Sequence, residues 1–102
     1  MVDVYRRAAN GYELFRENLD FSTYLGELGY QLIPVSTADQ AAYGTNFLTV
    51  ANRHICAVEG ISAEYLGRLK AADITVTLIN LDNLKLGYGA AHCTTQVLRR
   101  KR

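Results

Sequence analysis

The residues best suited to chemistry lie in the stretch GYGAAHCTTQVLRR, at residues 87–100. Cys93 is a potential nucleophile there, and His92 directly precedes it. A cysteine attacks as the thiolate, which needs positive charge or a helix dipole nearby. Gly87 and Gly89 would let the backbone approach a flat ligand closely, because glycine has no side chain. The stretch is compatible with nucleophilic catalysis by Cys93, but a cysteine taken alone is more often an inert buried thiol.

The composition is that of a single globular domain. The chain has 102 residues, of which 49% are hydrophobic and 21% charged. Its 11 basic and 10 acidic residues give a net charge of +1, and four of the basic ones are residues 99–102, so residues 1–98 carry 7 − 10 = −3. An acidic body argues against a nucleic-acid partner, which requires a basic face. We expect the basic run to be solvated.

Cysteine usage and hydropathy set the expected environment. The 2 cysteines are too few for a disulfide framework, and no charged-then-apolar leader is visible. No apolar run approaches the roughly 18–20 residues that span a bilayer. We therefore expect a soluble cytoplasmic protein with reduced thiols, no membrane contact, no metal and no cofactor.

The elements that must position Cys93 follow a repeat. The sequence YLGEL at 24–28 returns as YLGRL at 65–69, and each copy lies in a unit of the order strand–strand–helix–strand. Chance recurrence of YLG is the weaker alternative. The predicted division is a first ββαβ module at 2–36, a connector at 37–44, a second ββαβ module at 45–80, and a cysteine-bearing segment with a final strand at 81–100.

The first copy begins with a hairpin signal at Asn10-Gly11, a dipeptide that tolerates positive φ. Asp20 is expected to cap a short helix, with Phe21, Leu25 and Leu28 on its apolar face. A strand is predicted over residues 30–36.

The second copy has a predicted hairpin at 45–51 and 53–59, followed by a helix at 61–72. The helix places Ile61, Tyr65, Leu69 and Ala72 on one buried stripe. The sequence ITVTLI at 74–79 is predicted to be a buried strand.

This pattern resembles the C-terminal part of the guanidino-group-modifying enzymes, namely arginine deiminases, agmatine deiminases, dimethylarginine hydrolases and amidinotransferases. Many of them carry the nucleophilic cysteine in Gly-x-Gly-x-x-His-Cys, followed by Met or Thr, Thr or Ser, and an apolar strand. The matching residues here are Gly87, Gly89, His92, Cys93, Thr94 and Thr95. The segment from residue 45 also resembles their last module, which begins with an Asn-apolar strand. The family fold is a closed α/β propeller of five ββαβ modules, the pentein fold, so the resemblance implies two modules of an incomplete ring.

The resemblance also implies a reaction. Cys93 would attack the guanidinium carbon of arginine or a related compound, ammonia or an amine would leave, and a covalent amidino-cysteine would form. Water resolves this adduct in the hydrolases, which we favour, and a second amine resolves it in the transferases. Gly87 occupies the place that contacts the amino-acid end of the substrate. If His92 and Cys93 both lie on extended chain, their side chains face opposite sides, which is poor geometry for a general base. We therefore assign His92 to shaping this substrate-binding segment.

The rest of the family's catalytic set is not visible in the sequence. The family uses a histidine as acid–base group and carboxylates that grip the guanidinium, commonly from a His-x-Asp stretch, and this sequence has none. We expect His54 on a sheet face and Cys56 in the core. Asp39 and Asp82 are the carboxylates whose positions allow them to approach a site.

Three functions therefore remain open. The leading hypothesis is part of a guanidino-modifying enzyme, completed by the remaining modules of a longer chain or by other copies in a homo-oligomer. The second is an inactive remnant that serves as an oligomerisation or ligand-binding module. The third, a small regulatory domain of ferredoxin-like type, ranks last because its element order is βαββαβ. The sequence does not favour one guanidino substrate over another.

Overall fold

The computed structural model describes residues 1–101, which divide into one compact unit of residues 1–32 and another that begins at Ile33. The elements are β1 (Val2–Ala8), β2 (Gly11–Leu19), α1 (Phe21–Glu27), α2 (Thr37–Ala41), β3 (Leu48–Ala51), β4 (His54–Val58), α3 (Ala63–Ala71), β5 (Thr75–Ile79) and α4 (Asp82–Lys85). The fold is mixed α/β with two small sheets, in agreement with the predicted class. No helix within residues 1–101 is long and apolar enough to cross a membrane.

The first unit is a β1–β2 hairpin followed by α1. The antiparallel register pairs Ala8 with Gly11, so the turn lies at residues 9–10, one position before the predicted one. Gly11 has φ of 126°, a conformation that L side chains rarely adopt. Asp20 caps α1 as predicted, since its carboxylate accepts from the backbone N–H of Thr23 at 2.8 Å.

The strand predicted at 30–36 was wrong, and the apolar face of α1 is largely exposed. Phe21 and Leu28, two residues of that face, are 54% and 56% exposed. Residues 30–36 form no strand. A strand needs a neighbour that accepts and donates backbone hydrogen bonds, and Pro34 has no N–H to offer. The carbonyl of Pro34 instead accepts from the Arg68 guanidinium at 2.9 Å.

The second unit is a three-stranded sheet in the order β3–β4–β5. β3 and β4 are antiparallel and joined by a tight turn at residues 52–53. β4 pairs in parallel with β5, and α3 connects the two strands in sequence. The observed order in residues 48–79 is thus strand–strand–helix–strand. The predicted stripe of α3 is buried as its helical spacing requires, namely Ile61, Tyr65, Leu69 and Ala72.

The core of the second unit lies between α3 and β4, and half-buried apolar side chains of other segments complete it. Ile33 and Val35, from the segment predicted as a strand, pack against this core in extended conformation. The final strand predicted within residues 81–100 does not form, because no strand among the described residues pairs with its backbone. Its apolar side chains are exposed, with Leu98 at 94%.

Candidate active site

The cysteine-bearing segment follows α4 and bends twice. The N–H of Gly87 donates to the carbonyl of Leu84 at 3.0 Å, and Tyr88 then adopts a positive φ of 61°. Beyond this bend, the N–H of Thr94 donates to the carbonyl of Ala90 at 3.0 Å and closes one helical turn. His92 and Cys93 therefore lie in a turn, and the extended chain assumed from the sequence was wrong.

Buried small residues anchor this turn. Ala90 and Ala91 are 0% and 1% exposed. Each carbonyl also accepts a threonine hydroxyl at 2.7 Å, from Thr94 and Thr95 respectively. Because the base of the turn is fixed, the Cys93 thiol, which is exposed, has a defined place at the surface of the second unit.

Gly89 makes room for the cysteine. A Cβ at this position would lie 3.2 Å from Cβ of Cys93 and 3.7 Å from Cγ2 of Thr94. Contacts of 3.2 Å are tight for two carbon atoms, so a side chain at residue 89 would displace Cys93. The second glycine of the motif thus serves the placement of the thiol within the protein.

Asn46 is the residue that sequence reasoning missed. It lies just before β3, and its Oδ1 accepts from the backbone N–H of His92 at 2.9 Å and of Cys93 at 3.2 Å. Its Nδ2 donates to Sγ of Cys93 at 2.7 Å. The only sequence signal was the asparagine that opens the family's last module. Nothing in the sequence showed that its side chain reaches across 47 residues to the cysteine.

The loop that carries Asn46 is held by buried hydrogen bonds. The N–H of Asn46 donates to the carbonyl of Tyr43 at 3.0 Å, and the N–H of Gly44 donates to the carbonyl of Asp39 at 2.8 Å. The buried Tyr65 hydroxyl of α3 donates to the carbonyl of Gly44 at 3.1 Å. Burial raises the pKa of Tyr65, with the nearby Asp39 charge adding to the effect, so the phenol stays protonated as this donor.

Asp39 is a structural carboxylate, 5% exposed. It accepts from the N–H of Ser62 at 2.6 Å, from the Ser62 hydroxyl at 2.7 Å and from the Ser36 hydroxyl at 2.8 Å. Donation from the Ser62 backbone N–H is the main reason that the pKa of Asp39 lies below its ordinary value. Since Ser36 and Ser62 cap α2 and α3, Asp39 joins two helix starts.

The remaining candidates have other surroundings. The ring of His54 hydrogen-bonds the Thr77 hydroxyl at 2.7 Å across the sheet, and Cys56 is half-buried in β4. Asp82 pairs with Lys85 at 3.1 Å, and the hydrogen bond from that ammonium is the first reason that the pKa of Asp82 is lowered. Within residues 1–101, no three His, Cys, Asp or Glu side chains group as metal ligands would.

The second unit contains several cavities, of which two show what surrounds the cysteine segment. One of about 160 Å³ borders the cysteine turn and is lined by Leu48, His92, Thr95, Gln96 and Val97. A larger apolar one of about 580 Å³ lies between residues 33–35 and the sheet, and no residue of the cysteine segment lines it. The smaller cavity is therefore the one next to the candidate nucleophile.

Comparison of the sequence with known proteins identifies the family of the chain. The family model of arginine deiminase matches residues 8–100, which include Asn46 and the whole cysteine turn. The chain belongs to the arginine deiminase family. This confirms the resemblance to the C-terminal part of the guanidino-group-modifying enzymes.

A curated relative supports the same membership. The chain is 34% identical over 123 residues to the arginine deiminase of Halobacterium salinarum (strain ATCC 29341 / DSM 671 / R1), an alignment that covers 97% of this chain and 25% of that protein. The chain thus spans about a quarter of the length of this relative. No solved structure matches the chain significantly.

Proposed function

We propose that this chain is the cysteine-bearing part of an enzyme that hydrolyses the guanidino group of arginine or a related compound. The observation that carries the proposal is the exposed Cys93 thiol on an anchored turn, within the segment that the arginine deiminase family model covers. In this proposal the two predicted modules belong to a five-module α/β propeller. The remaining modules come from further polypeptide or from other copies of the chain.

The proposed reaction has two covalent steps. Sγ of Cys93 bonds to the guanidinium carbon, the bond to one terminal nitrogen breaks, and this nitrogen takes up a proton and leaves as ammonia. Water then adds to the carbon of the amidino-cysteine, the carbon–sulfur bond breaks, and the thiolate returns with a ureido product. The two protons of the water pass to the acid–base group, which replaces the proton given to ammonia, and to solvent. A bound guanidinium brings positive charge to the site, so substrate itself favours the thiolate.

The proton transfers need a partner from outside these residues. His54 is engaged with Thr77 in the sheet, and among the described residues the ring of His92 makes no hydrogen bond. Asp39 and Asp82 are engaged in capping and in an ion pair. The acid–base group and the carboxylates that grip the guanidinium are therefore proposed to come from the remaining modules. Gly87 and His92 are proposed to contact the substrate.

The test is activity in a polypeptide that supplies the remaining family length. Ammonia release from arginine should fall at least about a thousandfold in Cys93→Ser, because removal of a nucleophile eliminates the covalent route. Cys56→Ser is the matched control and should retain activity, since Cys56 lies in the sheet. A haloacetamidine should label Cys93 in preference to Cys56. Full activity in Cys93→Ser, or equal labelling of both thiols, would refute the proposal.

A second candidate is a non-catalytic oligomerisation module. Its support is the exposed apolar surface of the hairpin. Four large side chains there are about half exposed or more, namely Tyr5, Tyr12, Leu14 and Phe15. Light scattering after size-exclusion chromatography shows whether the chain assembles. Assembly without a melting-temperature shift from arginine, agmatine or dimethylarginine would favour this candidate.

A further inference from the structure

Asn46 presents both ends of its carboxamide to the cysteine turn. Of the two polar atoms of the Asn46 carboxamide, only the oxygen accepts a hydrogen bond from a backbone N–H. The N–H groups of His92 and Cys93 both donate to this oxygen. The orientation of the amide is thereby fixed. Its NH₂ group must face Sγ of Cys93, at 2.7 Å.

A donor aimed at sulfur has a defined chemical effect. An N–H···S interaction stabilises a negatively charged thiolate more than a neutral thiol, because the charged acceptor binds the proton donor more strongly. We propose that Asn46 is a positioning residue that favours the thiolate of Cys93 and aims it from the turn. This inference rests on the proposed function, in which that thiolate is the nucleophile.

The backbone of the turn has other bonds to close it. Thr94 N–H and the hydroxyls of Thr94 and Thr95 already bind the carbonyls of Ala90 and Ala91. The Nδ2–Sγ contact adds nothing to that closure. The backbone of Asn46 is anchored by the bond from its N–H to Tyr43, and its amide oxygen is held by two N–H groups of the turn, so its NH₂ group is a preorganised donor.

Within residues 1–101, the side chains of other titratable groups make no hydrogen bond to Sγ of Cys93. On the segments that pack at Cys93, these are His92 on the turn, Tyr88 one residue before Gly89, and Tyr43 in the loop of Asn46. Within residues 1–101, the Sγ atom takes its hydrogen bond from Asn46. The amide is therefore the group through which a substitution should change the ionisation of the thiol.

The experiment measures thiol ionisation in the intact chain, without substrate. The rate of alkylation by iodoacetamide is followed over about pH 6 to 10, with peptide mass mapping to score Cys93 and Cys56 separately. In Asn46→Ala the midpoint of the Cys93 profile should move upward by about one pH unit, equivalent to about tenfold slower alkylation below the midpoint. The Cys56 profile should not move.

Asn46→Asp separates the electronic role from a structural one. Aspartate keeps an oxygen for the two N–H groups of the turn, but it replaces the donor with a negative charge, so the midpoint should rise at least as far as in Asn46→Ala. Asn52→Asp, in the β3–β4 turn, adds the same charge away from the cysteine segment and is the matched control. The comparison is repeated in a His92→Gln background, which removes the imidazole next to Cys93 in the sequence.

Two results would overturn the inference. If Asn46→Asp behaves like the unsubstituted chain while Asn46→Ala is slow, the residue serves the turn alone. If neither profile moves, with circular dichroism showing folded chains, the amide has no role in ionisation. Both results leave the proposed function intact, because that is decided by Cys93→Ser and the labelling of Cys93 in the completed enzyme.

Discussion

At the scale of single residues, Asp39 and Asn46 have roles that their positions in the sequence did not predict. Asp39 was a candidate site carboxylate, yet its oxygens are used by Ser36 and Ser62 at two helix starts. Asn46 was no candidate, yet its side chain contacts Sγ of Cys93. A carboxylate that already accepts three donors has little capacity left for a guanidinium, whereas an amide can serve acceptor and donor roles together.

Asp39 should make the stability of the folded chain depend on pH in the acid range. Its folded-state pKa is below the ordinary 3.8, so its contribution to the free energy of unfolding is present above that value and is lost as pH falls below it. We expect the melting temperature to fall less steeply below about pH 4 in Asp39→Asn than in the unsubstituted chain.

Asp20 provides the comparison for that experiment. Hydrogen bonds from Ser22 and Thr23 lower its pKa to about 2, so Asp20→Asn should also flatten the acid limb. Asp20 belongs to the first unit, and amide exchange measured on peptides from each unit distinguishes the two effects. An unchanged acid limb in the second unit of Asp39→Asn would contradict the assigned role of this carboxylate.

At the scale of elements, the loop between α2 and β3 places Asn46 next to the cysteine turn. Gly44 is its tightest point, since a Cβ there would lie 2.8 Å from the carbonyl oxygen of Asp39 and 3.1 Å from Cε1 of Tyr65. The obstacle is backbone and a buried ring, which have little freedom to shift. The loop therefore depends on glycine for packing against α3.

Gly44→Ala should destabilise the second unit by about 1–3 kcal/mol, because it overpacks this contact. Gly67→Ala is the control within α3: no atom lies within 4 Å of the added Cβ, and alanine in a helix interior should stabilise by about 0.5–1 kcal/mol. Urea unfolding measures both changes. Equal effects of the two substitutions would show that the loop adapts and that the close contact is unimportant.

At the scale of the molecule, the two units differ in how much they bury. None of the described residues 1–32 is buried, whereas the second unit contains all the buried side chains, including Val58 at 0% exposed. A two-stranded hairpin is marginally stable in water without packing on one of its faces. The first unit thus leaves its hairpin exposed, as expected of an element that other protein surface covers.

Hydrogen exchange should reveal this difference. Amides of β4, α3 and β5 should be the most protected, and those of residues 1–32 should exchange faster by about a hundredfold or more, since local opening there exposes little apolar surface. Mass spectrometry of peptides from the two units makes the comparison. Equal protection would mean that the hairpin is covered, by association of copies, and repeating the measurement on dilution would test this.

Much of the arrangement was predictable from local patterns. The Asp20 cap and the buried stripe of α3 follow from capping chemistry and helical spacing, which act over a few residues. The cysteine motif was visible because its glycines and Cys93 are adjacent in sequence. The predicted strands at 30–36 and at the end of the cysteine segment failed, because β-propensity cannot supply a neighbouring strand.

The α/β class, the cysteine motif and, through that motif, the family follow from the order of the residues alone. These depend on residue types at short spacings, where backbone preferences and side-chain chemistry act locally. The tertiary structure decided that His92 and Cys93 share a turn, that Asp39 is occupied at helix starts, and that Asn46 reaches Sγ across 47 residues. Hydrogen bonds between distant segments depend on how the chain packs, and no local pattern records that packing.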